Sequence, residues 1–190
     1  MIGNKLELRI IEIFNRDITL LLSINQIAKK LNKAYPHINT KVNELIKEGI
    51  FNKFQVGRSH LCSINLDNTK AVALLVLNDA IKKESFLKKT NKEFSDELNK
   101  ISKEFKIYTI FLSKSSIHLV LDHIHDKEAI KIISKELKKF DLVFLSKSEF
   151  HEQVIHDKNL LLDKTILYAS QKYYELLNEV KAQLFNIFEK

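Results

Sequence analysis

Apolar residues recur at the helical period in three stretches near the start of the chain, which predicts three short helices. The stretches cover residues 5–15, 24–31 and 36–48. Their apolar positions are Leu6, Ile10, Ile13 and Phe14, then Ile27, Ala28 and Leu31, then Ile38, Val42, Leu45 and Ile46. Ser23 and Gln26 have the spacing of a capping box at the start of the second helix. Gly49 is suited to end the third helix in a left-handed conformation.

A different pattern follows Gly49. Residues 50–56 and 60–66 are rich in β-prone side chains that partly alternate with polar ones, which predicts two strands. Gly57-Arg58-Ser59 separates the strands and predicts a tight turn with a basic tip. Residues 1–68 are therefore expected to form one small domain of three helices and a β-hairpin.

The remaining chain, residues 69–190, alternates between helical and strand patterns and predicts a small α/β domain. Thr90–Glu93 and Ser146–Glu149 are further capping-box candidates. Helices are expected at residues 71–89, 92–105, 129–140, 150–155 and 170–189, and strands at residues 107–112, 117–121, 142–145 and 165–168. The predicted fold class is therefore α+β and rich in helix.

The composition favours a helix-rich fold and a polyanion, such as nucleic acid, as the binding partner. The chain has only 3 Gly and 1 Pro, which excludes a glycine-rich phosphate loop and leaves little material for turns. The net charge is +7, and residues 1–68 hold 10 Lys and Arg against 6 Asp and Glu. Because this excess concentrates within residues 24–60, that stretch is the candidate surface for nucleic acid.

The sequence also bears on the compartment. Cys62 is the single cysteine, so no internal disulfide can form, and a reducing compartment is expected. The N-terminus lacks the pattern of a secretory leader, and no apolar run approaches the length that spans a bilayer. These patterns predict a cytoplasmic protein without a membrane partner.

The order helix, short helix, turn, helix and hairpin resembles the winged helix-turn-helix regulators of prokaryotes over residues 5–68. The runs that carry the resemblance are residues 24–31, 35–42, 48–50 and 56–59. The resemblance implies a recognition helix over Pro36–Glu48 in the major groove and a hairpin tip over Gly57–Ser59 on the DNA backbone or in the minor groove.

The DNA-contacting side chains follow from this resemblance and from their chemistry. The expected set is His37, Asn39, Thr40, Lys41, Asn43, Glu44, Lys47, Arg58 and Ser59. Asn39 and Asn43 are suited to adenine, and the two lysines to phosphate or guanine. The alternative is that these residues form only a solvated helix face.

Residues 71–178 resemble a minimal nucleotidyltransferase domain that is attached to archaeal winged-helix proteins. The strand Ile110–Ser113 stands where that family has a strand and a Gly-Ser turn, although Gly is absent here. In Ser115–Val120, Ser116 and His118 stand where the family has its paired metal-binding aspartates. The resemblance implies the fold but not nucleotide transfer, because neutral side chains do not hold the two metal ions. Neither catalytic residues nor a cofactor are therefore predicted.

Histidines near the second predicted strand raise a metal-site alternative. The group is His118, His123 and His125, with Asp122 and Asp126 beside them. On a strand, residues 118 and 122 share a face while residue 123 opposes them, so convergence on one ion is not expected. His151 and His156 are expected at the surface.

The function predicted from these patterns is sequence-specific DNA binding by a transcription regulator, either an activator or a repressor. A homodimer is expected because one recognition helix reads few bases, with residues 71–81 and the C-terminal helix as candidate interfaces. Those apolar rows fit an intradomain core equally well. Two alternatives remain: a divergent nucleotidyltransferase or nucleotide-binding adaptor that carries a DNA-binding domain, and a toxin-antitoxin or RNA-processing adaptor. A protein partner of the second domain is also possible in each case.

Overall fold

The computed structural model describes residues 5–90, 92–122 and 126–185. The chain divides into two compact units, Met1–Asn78 and Asp79–Lys190. The division lies inside a helix, whereas the sequence predicts a domain boundary after residue 68, directly before that helix begins. Both units combine helices with a small sheet, so the chain is α+β.

The first unit contains the predicted helices and hairpin. Its elements are α1 (Lys5–Arg16), α2 (Ile24–Leu31), α3 (Tyr35–Lys47), β1 (Phe51–Val56), β2 (Ser59–Ile64) and the first part of α4 (Thr69–Leu87). The capping box of α2 is present: the backbone N–H of Gln26 donates to Ser23 Oγ, and the Gln26 side chain accepts from the backbone N–H of Ser23 at 2.8 Å. Gly49 has a φ of 72°, as predicted for the residue that ends α3.

The hairpin is joined to the helices by a contact that no local sequence pattern predicts. Leu22, between α1 and α2, pairs with Cys62 of β2 through two backbone hydrogen bonds of 3.0 and 2.8 Å. The ring centroids of Phe14 in α1 and Phe51 in β1 lie 4.7 Å apart. The side-chain amide of Asn15 donates to the Leu75 carbonyl at 3.4 Å and ties α1 to α4. The hairpin is therefore anchored to the helical core at its base.

The second unit consists of a four-stranded sheet and its covering helices. After the rest of α4, its elements are α5 (Lys92–Glu104), β3 (Ile107–Ser113), β4 (Ser116–Leu121), α6 (Lys127–Glu136), β5 (Asp141–Ser146), α7 (Lys147–His156), a 3₁₀ turn (Lys158–Leu161), β6 (Thr165–Tyr168), α8 (Ser170–Glu179) and α9 (Lys181–Leu184). The strand order is β5-β4-β3-β6, with β4 and β5 parallel and the other pairs antiparallel.

The two faces of this sheet differ in what covers them. On one face, Ile117, Leu119 and Leu121 pack with the apolar sides of α5 and α6. On the other face, the ring of Phe111 contacts Phe150 of α7 and Tyr173 of α8, with centroids 5.8 and 5.3 Å apart. The face that carries Phe111 also carries Ser116 and His118, because alternate residues of a strand share a face.

Several predictions for the second unit need correction. The C-terminal helix is not continuous from residue 170, because Val180 leaves the helical conformation with φ −115° and ψ 15°. Residues 186–189 of the predicted helix lie outside the described residues. The predicted helix at 129–140 is displaced to Lys127–Glu136. The capping box at Ser146 and Glu149 is confirmed. At the other candidate box, the Thr90 hydroxyl donates to the Leu87 carbonyl, and Asn91 lies outside the described residues.

Candidate nucleic-acid interface

A tight turn sets the position of α3 against α2. Asn32 takes a left-handed conformation with φ 50°, and its N–H donates to Lys29 O at 3.1 Å. The N–H of Lys33 donates to Ala28 O at 3.1 Å, which completes the hydrogen-bond pattern of a Schellman ending. Ala34 then precedes α3 without a side-chain cap, and Pro36 lies in the first turn.

α3 is amphipathic, with an apolar face on one side and a polar face on the other. Ile38, Val42 and Leu45 are buried and fix the inward direction. At 100° per residue, Thr40, Asn43 and Lys47 point away from this face, and all three are exposed. The remaining predicted side chains lie around them: Glu44 and His37 are exposed, whereas Asn39 and Lys41 lie at opposite edges and are partly buried.

The asparagines on α3 are hydrogen-bonded to each other. Asn43 Nδ2 donates to Asn39 Oδ1 at 3.1 Å, and the Tyr35 hydroxyl donates to the same oxygen at 3.4 Å. The Thr40 hydroxyl donates to the Pro36 carbonyl at 3.1 Å. These bonds hold the amides on the solvent side of α3, where they can be exchanged for contacts to a base.

An ion pair on α3 changes the expected role of one lysine. Lys41 Nζ donates to the Glu44 carboxylate at 2.5 Å, and the Lys41 side chain is only 21% exposed. The hydrogen bond to Glu44 raises the pKa of the Lys41 ammonium above its usual value. Lys47 is exposed and forms no ion pair with any side chain that the structure describes. The two lysines are therefore not equivalent, whereas the sequence predicts the same role for both.

The hairpin presents an exposed basic tip. Val56 pairs with Ser59, which leaves Gly57 and Arg58 as a two-residue loop. Gly57 has a φ of 58°, and the first loop position of a type II′ turn requires a positive φ. No heavy atom of the described residues, its two chain neighbours aside, lies within 4 Å of the place where a Cβ would be, so Gly57 is needed here for its conformation and not for space. Arg58 and Ser59 are both exposed. Ser59 is the first residue of β2 and not part of the turn.

In the second unit, Ser116 and His118 lie on the same sheet face. The Ser116 hydroxyl donates to Asp141 Oδ2 at 2.6 Å. His118 is 6% exposed, and its ring stacks on Phe111 with centroids 4.8 Å apart and planes 8° from parallel. Burial lowers the pKa of the His118 imidazole, and the Asp141 carboxylate opposes this shift. His118 is therefore a neutral, packed side chain at pH 7.

The other histidines have different surroundings. Within residues 5–90, 92–122 and 126–185, no group of three or more His, Cys, Asp or Glu side chains could hold a metal ion. His123 and His125, which the metal-site alternative needs, lie outside these ranges. His156 is exposed as predicted, but His151 is only partly exposed. The His151 side chain is 17% exposed, its Nε2 lies 3.7 Å from a Glu179 carboxylate oxygen, and burial lowers the pKa of its imidazole.

Comparison with protein-family models, with curated proteins and with solved structures finds no match to this chain. Among the described residues, no helix has both the length and the apolar character needed to cross a membrane.

Proposed function

We propose that this protein is a sequence-specific DNA-binding transcription regulator with a winged helix-turn-helix in its first unit. The observation that carries the proposal is the outward face of α3, where Thr40, Asn43 and Lys47 are exposed together over a buried apolar face. In this proposal α3 enters the major groove, and Arg58 at the hairpin tip contacts the backbone or the minor groove.

The side chains on α3 divide into two roles. Asn43 and Asn39 are suited to bidentate contacts with adenine, and Thr40 reaches a base or a phosphate. Lys47 supplies positive charge for a phosphate. Lys41 contributes less net charge, because Glu44 is paired with it. Glu44 is itself suited to accept a hydrogen bond from cytosine.

The different surroundings of the two lysines predict different salt dependences. We expect Lys47→Ala to lower the magnitude of the slope of log K against log [salt] by about one, because one phosphate contact is lost. Lys41→Ala should lower it less, since its charge is already offset by Glu44. Fluorescence anisotropy with a labelled 40-bp duplex of random sequence, from low to moderate salt, measures both slopes.

Glu44→Gln is the matched variant for this experiment. It removes the carboxylate and leaves Lys41 unpaired, so it should tighten binding to the random duplex. Absence of any duplex binding by the wild-type protein at low salt would contradict the proposed function. Equal slopes for the two lysine variants would contradict only the role given to the ion pair.

A homodimer is part of the proposal. On the C-terminal side of the chain, Leu176, Leu177, Val180 and Leu184 are buried within the second unit, which supports the core interpretation of that row. The apolar row of α4 is also buried at Ala71, Leu74 and Leu75, but further along the helix Ile81 is 52% exposed and Ala80 is exposed beside it. We therefore propose α4 as the dimer contact. Light scattering at tens of micromolar protein should give twice the 22.2 kDa mass of the chain; a monomer with and without DNA would exclude this.

We further propose that the second unit transfers no nucleotide and takes up a protein partner or an effector. Ser116 and the neutral His118 provide no carboxylate pair for two magnesium ions, and Asp141 is hydrogen-bonded to Ser116. A hydroxyl and an imidazole are poor ligands for magnesium. The alternative function, a divergent nucleotidyltransferase or nucleotide-binding adaptor, would need Asp141 and Asp122 to replace that pair.

A further inference from the structure

A second basic surface lies in the first unit, beside α3. An open cleft of about 490 Å³ is lined by Lys5, Leu6 and Arg9 of α1, Lys33 of the turn before α3, and His37 in the first turn of α3. Two different parts of the chain, α1 and the turn before α3, thus bring cationic side chains to one place. Among the residues that line the cleft there is no carboxylate.

The cationic side chains of this cleft have no carboxylate beside them in the lining, and their mutual repulsion destabilises the protein when no anion is bound. Lys5 and Arg9 are one turn apart on α1, where like charges destabilise a helix, and Lys5 lies at its positive end. The following turns of the same helix face carry Glu12 and Arg16, which form an ion pair at 2.8 Å. Lys5, Arg9 and Lys33 form no ion pair with the side chains of the described ranges. Their charges are therefore available to an anion.

The cleft is continuous with the proposed DNA-reading face. His37 lines the cleft and also lies at the edge of the exposed face of α3, 60° around the helix from Thr40 by the 100° helical step. A helix nearly fills a major groove of about 12 Å, so a sugar-phosphate backbone lies along each flank of it. The flank on the His37 side of α3 leads into the cleft.

We propose that this cleft binds phosphodiester groups of the DNA strand that borders the major groove occupied by α3. The inference rests on the proposed function, and it assigns backbone-contacting roles to Lys5, Arg9 and Lys33, which lie outside the recognition helix and the hairpin. Such contacts carry no sequence information but fix the register of the protein on the duplex. They add to the electrostatic part of the affinity.

The test uses the full chain with Lys5→Gln, Arg9→Gln and Lys33→Gln combined, the cleft variant. All three side chains are exposed and their removal relieves the repulsion on α1, so the variant should unfold at the wild-type temperature or slightly above it. With a labelled 40-bp duplex of random sequence, the cleft variant should lower the magnitude of the salt slope by about two to three. If the combined variant is destabilised, Arg9→Gln alone should lower the slope by about one.

The matched control removes the same charge elsewhere. It combines Lys103→Gln, Lys131→Gln and Lys135→Gln, which are exposed, form no ion pair with a side chain that the structure describes and line no part of the cleft. A slope change below about one is expected for this charge control, because only direct phosphate contacts release counterions. Equal changes in the cleft variant and the charge control would overturn the inference.

Two further results separate the cleft from the proposed function. If the cleft variant has the wild-type slope while Lys47→Ala still lowers it, the cleft assignment fails and the DNA-binding proposal stands. If the wild-type protein does not bind the duplex, both fail. Calorimetric titration with inorganic phosphate should show no saturation in the range where the duplex binds; saturation there would assign the cleft to a free anion and overturn the inference.

Discussion

Combined replacement of Thr40, Asn43 and Lys47 by alanine should abolish sequence-specific DNA binding and leave the fold intact. The variant loses the hydroxyl, amide and ammonium groups of the outward face of α3, and none of the three side chains is buried. A bidentate base contact contributes roughly 1–3 kcal/mol of discrimination, and each 1.4 kcal/mol is about tenfold in affinity. The affinity for the preferred duplex should therefore fall by about two to three orders of magnitude.

Anisotropy titration with the preferred and a scrambled duplex measures this loss. The preference between the two should disappear, whereas the affinity for the scrambled duplex should fall only by the one phosphate contact that Lys47 supplies. Asn99, Ser102 and Lys103 of α5 provide a matched control, since their replacement by alanine also removes one amide, one hydroxyl and one charge. These residues lie in the second unit and are at least partly exposed. If the control loses as much specificity as the α3 variant, the assignment of base reading to α3 is wrong.

The second large effect concerns two adjacent tyrosines in the core of the second unit. Tyr173 and Tyr174 are both fully buried, and Lys164, also fully buried, lies with Nζ 5.8 and 5.9 Å from their ring centroids. Burial raises the pKa of Tyr174, and the buried Asp79 carboxylate, to which the Tyr174 hydroxyl is hydrogen-bonded, raises it further. The Tyr173 hydroxyl has no hydrogen-bond partner within the described part of the chain.

Tyr174→Phe should therefore lower the free energy of unfolding by roughly 1–3 kcal/mol, since a buried carboxylate loses a donor. Tyr173→Phe removes a hydroxyl that makes no such bond, and it should be neutral or slightly stabilising. Urea denaturation followed by circular dichroism measures both variants under the same conditions. Equal losses of stability in the two variants would mean that the bond to Asp79 is not what distinguishes them.

Local features of the fold were predictable because short segments determine them. The capping boxes at Ser23 and Ser146 depend only on a hydroxyl and an acceptor three residues later, and both are present. The turn at Gly57 follows from the conformational freedom of glycine. The apolar rows of α2 and α3 predict their buried faces, because helical periodicity places those residues on one side. In α1 the prediction is only partly right: Ile11 and Asn15 are buried, whereas Leu6 and Ile13 are only partly buried.

Features that join distant residues were not predictable. The pairing of Leu22 with Cys62 and the basic cleft depend on how the helices pack. Burial of Asp79 and Lys164 contradicts the usual preference of charged side chains for solvent, so no local pattern indicates it. The ion pair of Lys41 and Glu44 could have been predicted, because the i, i+3 spacing on a helix is visible in the sequence.

Selection of bound sequences from a fully randomised duplex library tests the central claim most directly. The wild-type protein should enrich one motif, with two related half-sites about 10 bp apart if the dimer binds as proposed. The same selection with Asn43→Ala should return that motif with its preference relaxed at one or two base positions. Enrichment of no motif by the wild-type protein, or an unchanged motif from the variant that lacks Thr40, Asn43 and Lys47, would contradict DNA reading by α3.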